Sequence, residues 1–145
     1  GVFNVVYGGG AAGAALAGHP GVAKVSVTGS VETGKAVARL GAETLKKVTL
    51  ELGGKSPILV FDDADLEASV VGAMAGNWLN AGQVCSNGTR VFVQEGMLEP
   101  FLKRLIERTK AIRIGHPFDP NTQFGPLVSP SHAAGVRARI QDAVS

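Results

Sequence analysis

Two side chains of this sequence have types and surroundings that suit covalent catalysis. Cys85 is the only cysteine and lies among small and polar residues in Gly82-Gln-Val-Cys-Ser-Asn-Gly-Thr-Arg90. A thiolate is a strong nucleophile, but because the free pKa is about 8.5 the thiol needs a lowered pKa or a nearby base. Glu51 stands between Leu50 and Leu52 near the end of a strand-like run. Such apolar neighbours raise the pKa of a carboxyl toward the range of a general base.

Both residues also have ordinary structural interpretations. A lone cysteine is often a small buried residue, and a carboxylate at a strand end can cap a helix or pair with a neighbouring lysine. If the two act together, we expect Cys85 and Glu51 to meet in one cleft where two lobes of the protein touch. A cysteine hydrolase and a non-catalytic structural fragment are the alternatives, and the lack of a histidine close in sequence to either residue disfavours the hydrolase.

The first 53 residues alternate between strand, glycine turn and helix. A β-rich run at Val2–Val6, a small-residue helix, a strand at 22–28, a helix at about 33–45 and a strand at 46–52 predict two consecutive βαβ units. This order indicates a doubly wound parallel sheet. The turn Gly29-Ser-Val-Glu-Thr-Gly34 precedes a helix and offers N–H groups to an anion, although it matches neither a phosphate loop nor the dinucleotide fingerprint.

The pattern changes at Gly53-Gly54, near which we predict a domain boundary. Residues 54–145 predict a buried strand at 56–61, a long helix, a strand at 89–94, an amphipathic helix at 98–112, a connection at 113–130 and a helix at 132–144. The long helix carries an apolar stripe that ends in Trp78, which we interpret as facing a core. We interpret Arg90 as an anchor of the cysteine loop. The three histidines are scattered and predict no metal site.

Composition narrows the functional classes. The hydrophobic content of 45% and the near-balanced net charge of +2 indicate a globular protein without a nucleic-acid partner and without a membrane span. A single cysteine and the lack of a signal peptide favour the cytoplasm. The sequence begins without methionine inside an apolar run, which indicates a piece of a longer protein.

Three motifs in this order resemble the aldehyde dehydrogenase superfamily: Val27-Thr-Gly-Ser30, Leu50-Glu-Leu-Gly-Gly-Lys-Ser-Pro57 and the cysteine loop, with Glu51 preceding Cys85 by 34 residues. The resemblance covers the whole chain. Arg113-Ile-Gly-His-Pro-Phe-Asp-Pro120 and Phe124-Gly-Pro-Leu-Val128 are most similar to betaine-aldehyde dehydrogenases. The implied fold is α/β, with residues 1–53 as the C-terminal part of a Rossmann-like cofactor domain and residues 54–145 as the first part of the catalytic domain.

The resemblance implies a mechanism and a set of site residues. Cys85 would attack a small-molecule aldehyde to give a thiohemiacetal, hydride would pass to NAD or NADP, and Glu51 would activate water to hydrolyse the thioester. The N–H of Cys85 would help to hold the oxyanion. Cofactor contacts are implied for Ser30 at the phosphates, for the Leu52 carbonyl at the nicotinamide amide, and for Gly29, Val31, Glu32 and Thr33. The carbonyl of Leu45 matches a potassium-binding position.

The resemblance also implies what this chain lacks. The family's side-chain oxyanion donor, its ribose-binding residues and its later nicotinamide segment have no counterpart in the 145 residues. We therefore expect the isolated chain neither to bind cofactor tightly nor to turn over. The parent protein is expected to be a cytosolic homodimer or homotetramer.

Overall fold

The computed structural model describes residues 1–145, which form two compact units, residues 1–53 and residues 54–145. The predicted α/β class with parallel strands is confirmed. The first unit contains α1 (Gly10–Gly18), β1 (Lys24–Gly29), α2 (Val31–Ala42) and β2 (Lys47–Leu52). The second contains β3 (Pro57–Val60), α3 (Leu66–Trp78), a short 3-10 turn (Leu79–Gly82), β4 (Arg90–Val93), α4 (Glu95–Lys110) and α5 (Pro130–Val144). None of these helices combines the length and the apolar character needed to cross a bilayer.

In the first unit, β1 and β2 pair in parallel, and α2 connects them. Helix α2 approaches β2 closely because two of its glycines face the strand. A Cβ atom on Gly34 would lie 2.8 Å from the Leu52 methyl carbons, and one on Gly41 would lie 2.6 Å from a Val48 methyl carbon. Gly34 and Gly41 are two helical turns apart and therefore share one face. The two glycines allow the helix to lie against the strand that carries Glu51.

The predicted strand at Val2–Val6 is wrong. Residues 1–9 form no strand and are exposed throughout, with Phe3 at 85% and Val6 at 72% of full exposure. The sheet of this unit has two strands, β1 and β2, and no ladder extends to the N-terminal run. Valine and phenylalanine favour strands only where a neighbouring strand supplies hydrogen bonds and packing.

The bounds of α2 also differ from the prediction, because capping sets them. Ser30 is the N-cap, and its Oγ accepts a hydrogen bond of 3.1 Å from the N–H of Thr33. At the other end the N–H of Lys46 donates to the Gly41 carbonyl at 3.1 Å, and the N–H of Leu45 donates to the Ala42 carbonyl at 3.3 Å. This is a Schellman motif whose left-handed position, usually glycine, is Leu45 with φ 53°.

In the second unit, parallel strands β3 and β4 and helices α3 and α4 enclose one apolar core. Phe101 and Val70 are its most deeply buried side chains, at 1% and 0% exposure. The predicted stripe of α3 faces this core only in part, since Leu66 and Met74 are half-buried and Trp78 is 37% exposed. Helix α3 begins where Asp65 Oδ1 accepts a hydrogen bond of 2.7 Å from the N–H of Ala68. This packing fixes the direction in which α3 enters the cysteine loop.

One exposed ion-pair cluster joins α3 to α4. Glu67 accepts hydrogen bonds from Arg104 and, at 3.0 Å, from Arg108. The hydrogen bond from Arg104 holds the pKa of Glu67 below its ordinary value, and the positive charges of Arg104 and Arg108 act in the same direction.

We expect Glu67→Gln to destabilise the second unit more near neutral pH than in acid. Because the folded-state pKa of Glu67 is depressed, its stabilisation is present above the unfolded pKa and is lost as the pH falls through the folded pKa. The difference in urea midpoint between wild type and variant should therefore be smaller at about pH 3 than at about pH 7. Glu99→Gln, an exposed carboxylate of the same helix pair, is the control. An equal loss at both pH values would contradict this assignment.

Candidate active site

The residues predicted to bind a cofactor gather at the carboxyl end of the β1–β2 pair. In the parallel register Thr28 lies opposite Glu51, and Gly29 lies opposite Leu52. The turn into α2 and the end of β2 therefore share one edge of the sheet, which is where open parallel sheets bind their ligands. Glu51 itself is exposed, so the desolvation expected from its leucine neighbours is not provided by this unit.

The N-terminus of α2 offers backbone donors to an anion. Val31, Glu32 and Thr33 of its first turn are exposed. The N–H of Thr33 already donates to Ser30 Oγ, whereas the N–H groups of Val31 and Glu32 have no intrahelical acceptor. The Glu32 carboxylate, whose charge would oppose an anion, is paired with Lys35 at 3.1 Å. This exposed turn therefore leaves two N–H donors for an anionic group, next to the Ser30 hydroxyl.

Leu45 lies away from this edge. It occupies the turn between α2 and β2, at the amino end of the strand whose carboxyl end carries Glu51 and Leu52. Its side chain is 91% exposed, and its backbone is left-handed. A hard cation requires several oxygen ligands, and this turn by itself does not fit potassium.

Cys85 belongs to the second unit, and a strained segment leads to it. Asn80, Ala81 and Gly82 have φ values of 52°, 55° and 77°. Left-handed backbone costs a non-glycine residue roughly 1–2 kcal/mol, and such strain persists only where surrounding contacts enforce it. Here the Asn80 and Gln83 side chains each donate to the other residue's carbonyl at 3.1 Å.

Hydrogen bonds hold the backbone on both sides of Cys85. Before it, Gln83 Oε1 accepts a hydrogen bond of 2.9 Å from the N–H of Val128. After it, the Gly88 carbonyl accepts a hydrogen bond of 2.9 Å from Asn77 Nδ2 in the last turn of α3. Cys85 is exposed between these two anchors. The turn therefore presents a thiol to solvent from a fixed backbone, as a nucleophile requires.

Two nitrogen donors of this turn have no hydrogen-bond acceptor within the chain. The backbone hydrogen bonds of the loop use the N–H groups of Gln83, Asn87 and Thr89, and leave the N–H of Cys85 free. A free N–H at the nucleophile is the donor that an oxyanion needs. Asn87, two residues after Cys85, is 4% exposed, and its Nδ2 has no partner within the chain.

Trp78 and Arg90, two neighbours of the loop in sequence, make structural contacts. Trp78 borders an apolar cavity of about 170 Å³ together with Ile112 and Phe124. The Arg90 Nη1 atom donates to the Lys55 carbonyl at 3.4 Å, which links β4 to the start of the unit. Neither contact points to a chemical role.

Sequence reasoning missed the residues that hold the turn, namely Asn77, Asn80, Gln83 and Gly88. The available signals were an amide directly before Trp78, the last apolar position of the α3 stripe, and a glycine three residues after the cysteine. Neither pattern specifies a partner, because Asn77 bonds a residue 11 positions later and Gln83 bonds a residue 45 positions later.

Comparison with known proteins identifies the family. The sequence profile of the aldehyde dehydrogenase family matches residues 1–145. The chain belongs to the aldehyde dehydrogenase family. Betaine aldehyde dehydrogenase of Mesorhizobium japonicum is 63% identical over 129 residues, which cover 89% of the chain and 26% of that relative. Betaine aldehyde dehydrogenase of Cereibacter sphaeroides is 59% identical over 143 residues, which cover 99% of the chain and 30% of that relative.

A solved aldehyde dehydrogenase has the same fold over the matched part. The crystal structure of betaine aldehyde dehydrogenase from Staphylococcus aureus in complex with NAD+ matches with a TM-score of 0.86 and 41% identity, covering 89% of this chain and 26% of that one. The predicted resemblance to this family, and within it to betaine aldehyde dehydrogenases, is confirmed. The chain spans roughly a quarter to a third of the length of the curated relatives it matches.

Proposed function

We propose that this chain is the central portion of a longer NAD-dependent aldehyde dehydrogenase, which oxidises an aldehyde to the carboxylic acid. The observation that carries the proposal is the exposed Cys85 on a turn fixed at both ends, in a chain that belongs to this family. Betaine aldehyde is the proposed substrate, because the relatives at 57–64% identity are named for it. We also propose a cytoplasmic homodimer or homotetramer for the longer protein, and NAD rather than NADP as cofactor.

Cys85 begins the reaction. Its thiolate sulfur attacks the aldehyde carbon, and the carbonyl oxygen becomes an oxyanion that accepts a hydrogen bond from the free N–H of Cys85. The product of this step is a thiohemiacetal on the sulfur. When bound, NAD supplies the acceptor for the hydride that leaves the carbon, and a thioester remains on Cys85.

Glu51 completes the reaction. Its carboxylate takes a proton from a water molecule, and the resulting hydroxide attacks the thioester carbon. The carbon–sulfur bond breaks, the acid leaves, and Cys85 returns as a thiolate. An exposed Glu51 at the carboxyl edge of the β1–β2 pair can exchange its proton with solvent between turnovers. The same edge offers Ser30, the first turn of α2 and the Leu52 carbonyl to the cofactor.

The test is an oxidation assay on the full-length enzyme, the longer protein that contains this chain. We expect betaine aldehyde and NAD+ to give a rise in the near-ultraviolet absorbance of the reduced nicotinamide, together with one acid per aldehyde. A cysteine hydrolase would release product from an ester without any such absorbance change. The 145-residue chain alone is expected to give no turnover. Rapid oxidation by it would contradict the expectation that part of the active site lies outside this chain.

A further inference from the structure

Asn77 connects helix α3 to the turn that carries Cys85. It lies in the last helical turn, is half-buried, and uses both hydrogens of its side-chain amide. One goes to the Ala73 carbonyl of its own helix at 2.9 Å, and the other goes to the Gly88 carbonyl at 2.9 Å. The second bond crosses from the helix to a residue three positions after the cysteine. A donor that joins two backbone carbonyls in this way fixes their separation.

Gly88 is held from its other side by close packing. It is buried, and a Cβ atom built on it would lie 2.3 Å from Cγ1 and 2.4 Å from Cδ1 of Ile58 in β3. Gly76 of α3 also lies beside Gly88, since a Cβ on it would be in ordinary van der Waals contact, 3.6 Å from the Gly88 nitrogen. The carbonyl of Gly88 is therefore placed by a hydrogen bond from α3 and by contact with β3.

The placement of Gly88 reaches the sulfur through a very short stretch of backbone. The N–H of Asn87 donates to the Val84 carbonyl at 3.3 Å and closes a turn around Cys85. The upstream end of that turn is held by Gln83. Gly88 directly follows Asn87, so a shift of the Gly88 backbone acts on the residue whose N–H closes the turn around Cys85.

We propose that Asn77 is a positioning residue for the Cys85 nucleophile, acting through the Gly88 carbonyl. The proposal rests on the proposed function, in which the Cys85 sulfur and N–H act together on one aldehyde. The sulfur must approach the carbon while the N–H points at the oxygen, so both depend on the orientation of the same peptide unit. Asn77 touches neither the substrate nor the cofactor in this scheme.

Asn77→Ser in the full-length enzyme separates this role from a purely structural one. A serine hydroxyl in a helix bonds the carbonyl four residues earlier, so the Ala73 contact is kept, while the hydroxyl is too short to reach Gly88. We expect kcat and the first-turnover rate of nicotinamide reduction to fall by roughly 10- to 100-fold, with KM for NAD+ within about twofold of wild type. Asn121→Ser removes an exposed amide contact with Asp119 in the same unit and should leave these values unchanged.

Gly88→Ala moves the same turn from the opposite side and provides a second variant. It should show the same loss of kcat, and Ile58→Ala in the Gly88→Ala background should restore part of it, because the clashing Cγ1 and Cδ1 atoms are removed.

The rate of Cys85 alkylation by iodoacetamide across a pH series, followed on the Cys85 peptide by mass spectrometry, requires no turnover. We expect this profile to change in Asn77→Ser and in Gly88→Ala, and not in Asn121→Ser.

The outcomes are distinct. If wild type reduces NAD+ and folded Asn77→Ser keeps the wild-type first-turnover rate and alkylation profile, the positioning role is overturned. If wild type does not reduce NAD+, the proposed function fails, while the alkylation profiles still decide whether Asn77 controls Cys85. If Asn77→Ser does not fold, the Gly88→Ala variant and its Ile58→Ala partner decide the question, and a missing loss or a missing rescue overturns the role.

Discussion

Cys85→Ala in the full-length enzyme is expected to abolish nicotinamide reduction, lowering kcat by roughly 10⁴-fold or more, as removal of an enzyme nucleophile does. Without the sulfur no thiohemiacetal forms, and the aldehyde hydrogen has no tetrahedral carbon from which to leave as hydride. The first turnover should be lost together with the steady state, because the missing step precedes all the others. Stopped-flow absorbance of the reduced nicotinamide measures both phases.

The control for Cys85→Ala lies next to it. Ser86→Ala changes one exposed side chain of the same turn and removes no hydrogen bond that holds the loop, so it should keep most of the activity. NAD+ binding by the Cys85→Ala variant should remain near wild type, since the proposed cofactor contacts lie at the β1–β2 edge. A Cys85→Ala enzyme that still reduces NAD+ in proportion to aldehyde would remove Cys85 from the mechanism.

The arrangement of strands and helices was largely accessible from the sequence because local patterns determine it. The strand, turn and helix order predicts the parallel β1–β2 pair, and the apolar periodicity of residues 98–112 indicates the core face of α4, which contains Phe101. Val2–Val6 was predicted wrongly because strand propensity does not supply a partner strand. The α2 bounds were shifted because the Ser30 cap and the left-handed Leu45 set them, rather than the apolar spacing.

The reactive residues of the site could be predicted from the sequence, but the contacts that hold the cysteine loop could not. Residue type and neighbours single out Cys85, and the resemblance adds Ser30 and Leu52. Leu52 pairs with Gly29, which directly precedes Ser30, so both lie at the sheet edge that carries Glu51. The hydrogen bond from Asn77 to Gly88 depends on how the loop folds back on α3, which no periodicity encodes. Glu51 is exposed, contrary to the expected desolvation. A strand residue between two leucines is buried only where another layer of the protein covers its face of the sheet.

Glu51→Gln in the full-length enzyme should separate the two halves of the reaction. Glutamine keeps the size of the side chain and cannot take a proton, so thioester formation on Cys85 continues while its hydrolysis slows. We expect a first-turnover burst of reduced nicotinamide close to wild type, followed by a steady-state rate lower by roughly 10²- to 10⁴-fold, the usual contribution of a general base. Rapid-quench mass spectrometry should find the acyl group on the Cys85 peptide.

A matched carboxylate of the same unit provides the comparison for Glu51→Gln. Glu43 is exposed at the end of α2, near the amino end of β2, so Glu43→Gln changes the charge equally without touching the proposed site. Loss of the burst itself in Glu51→Gln would mean that Glu51 activates the thiol rather than water, and wild-type turnover would mean that the carboxylate is structural.

Because deacylation in Glu51→Gln must rely on hydroxide from solvent, its slow steady-state rate should rise with pH more steeply than that of wild type. An added small thiol, which attacks the thioester without needing a base to activate water, should restore turnover in Glu51→Gln and should have no such effect in Cys85→Ala.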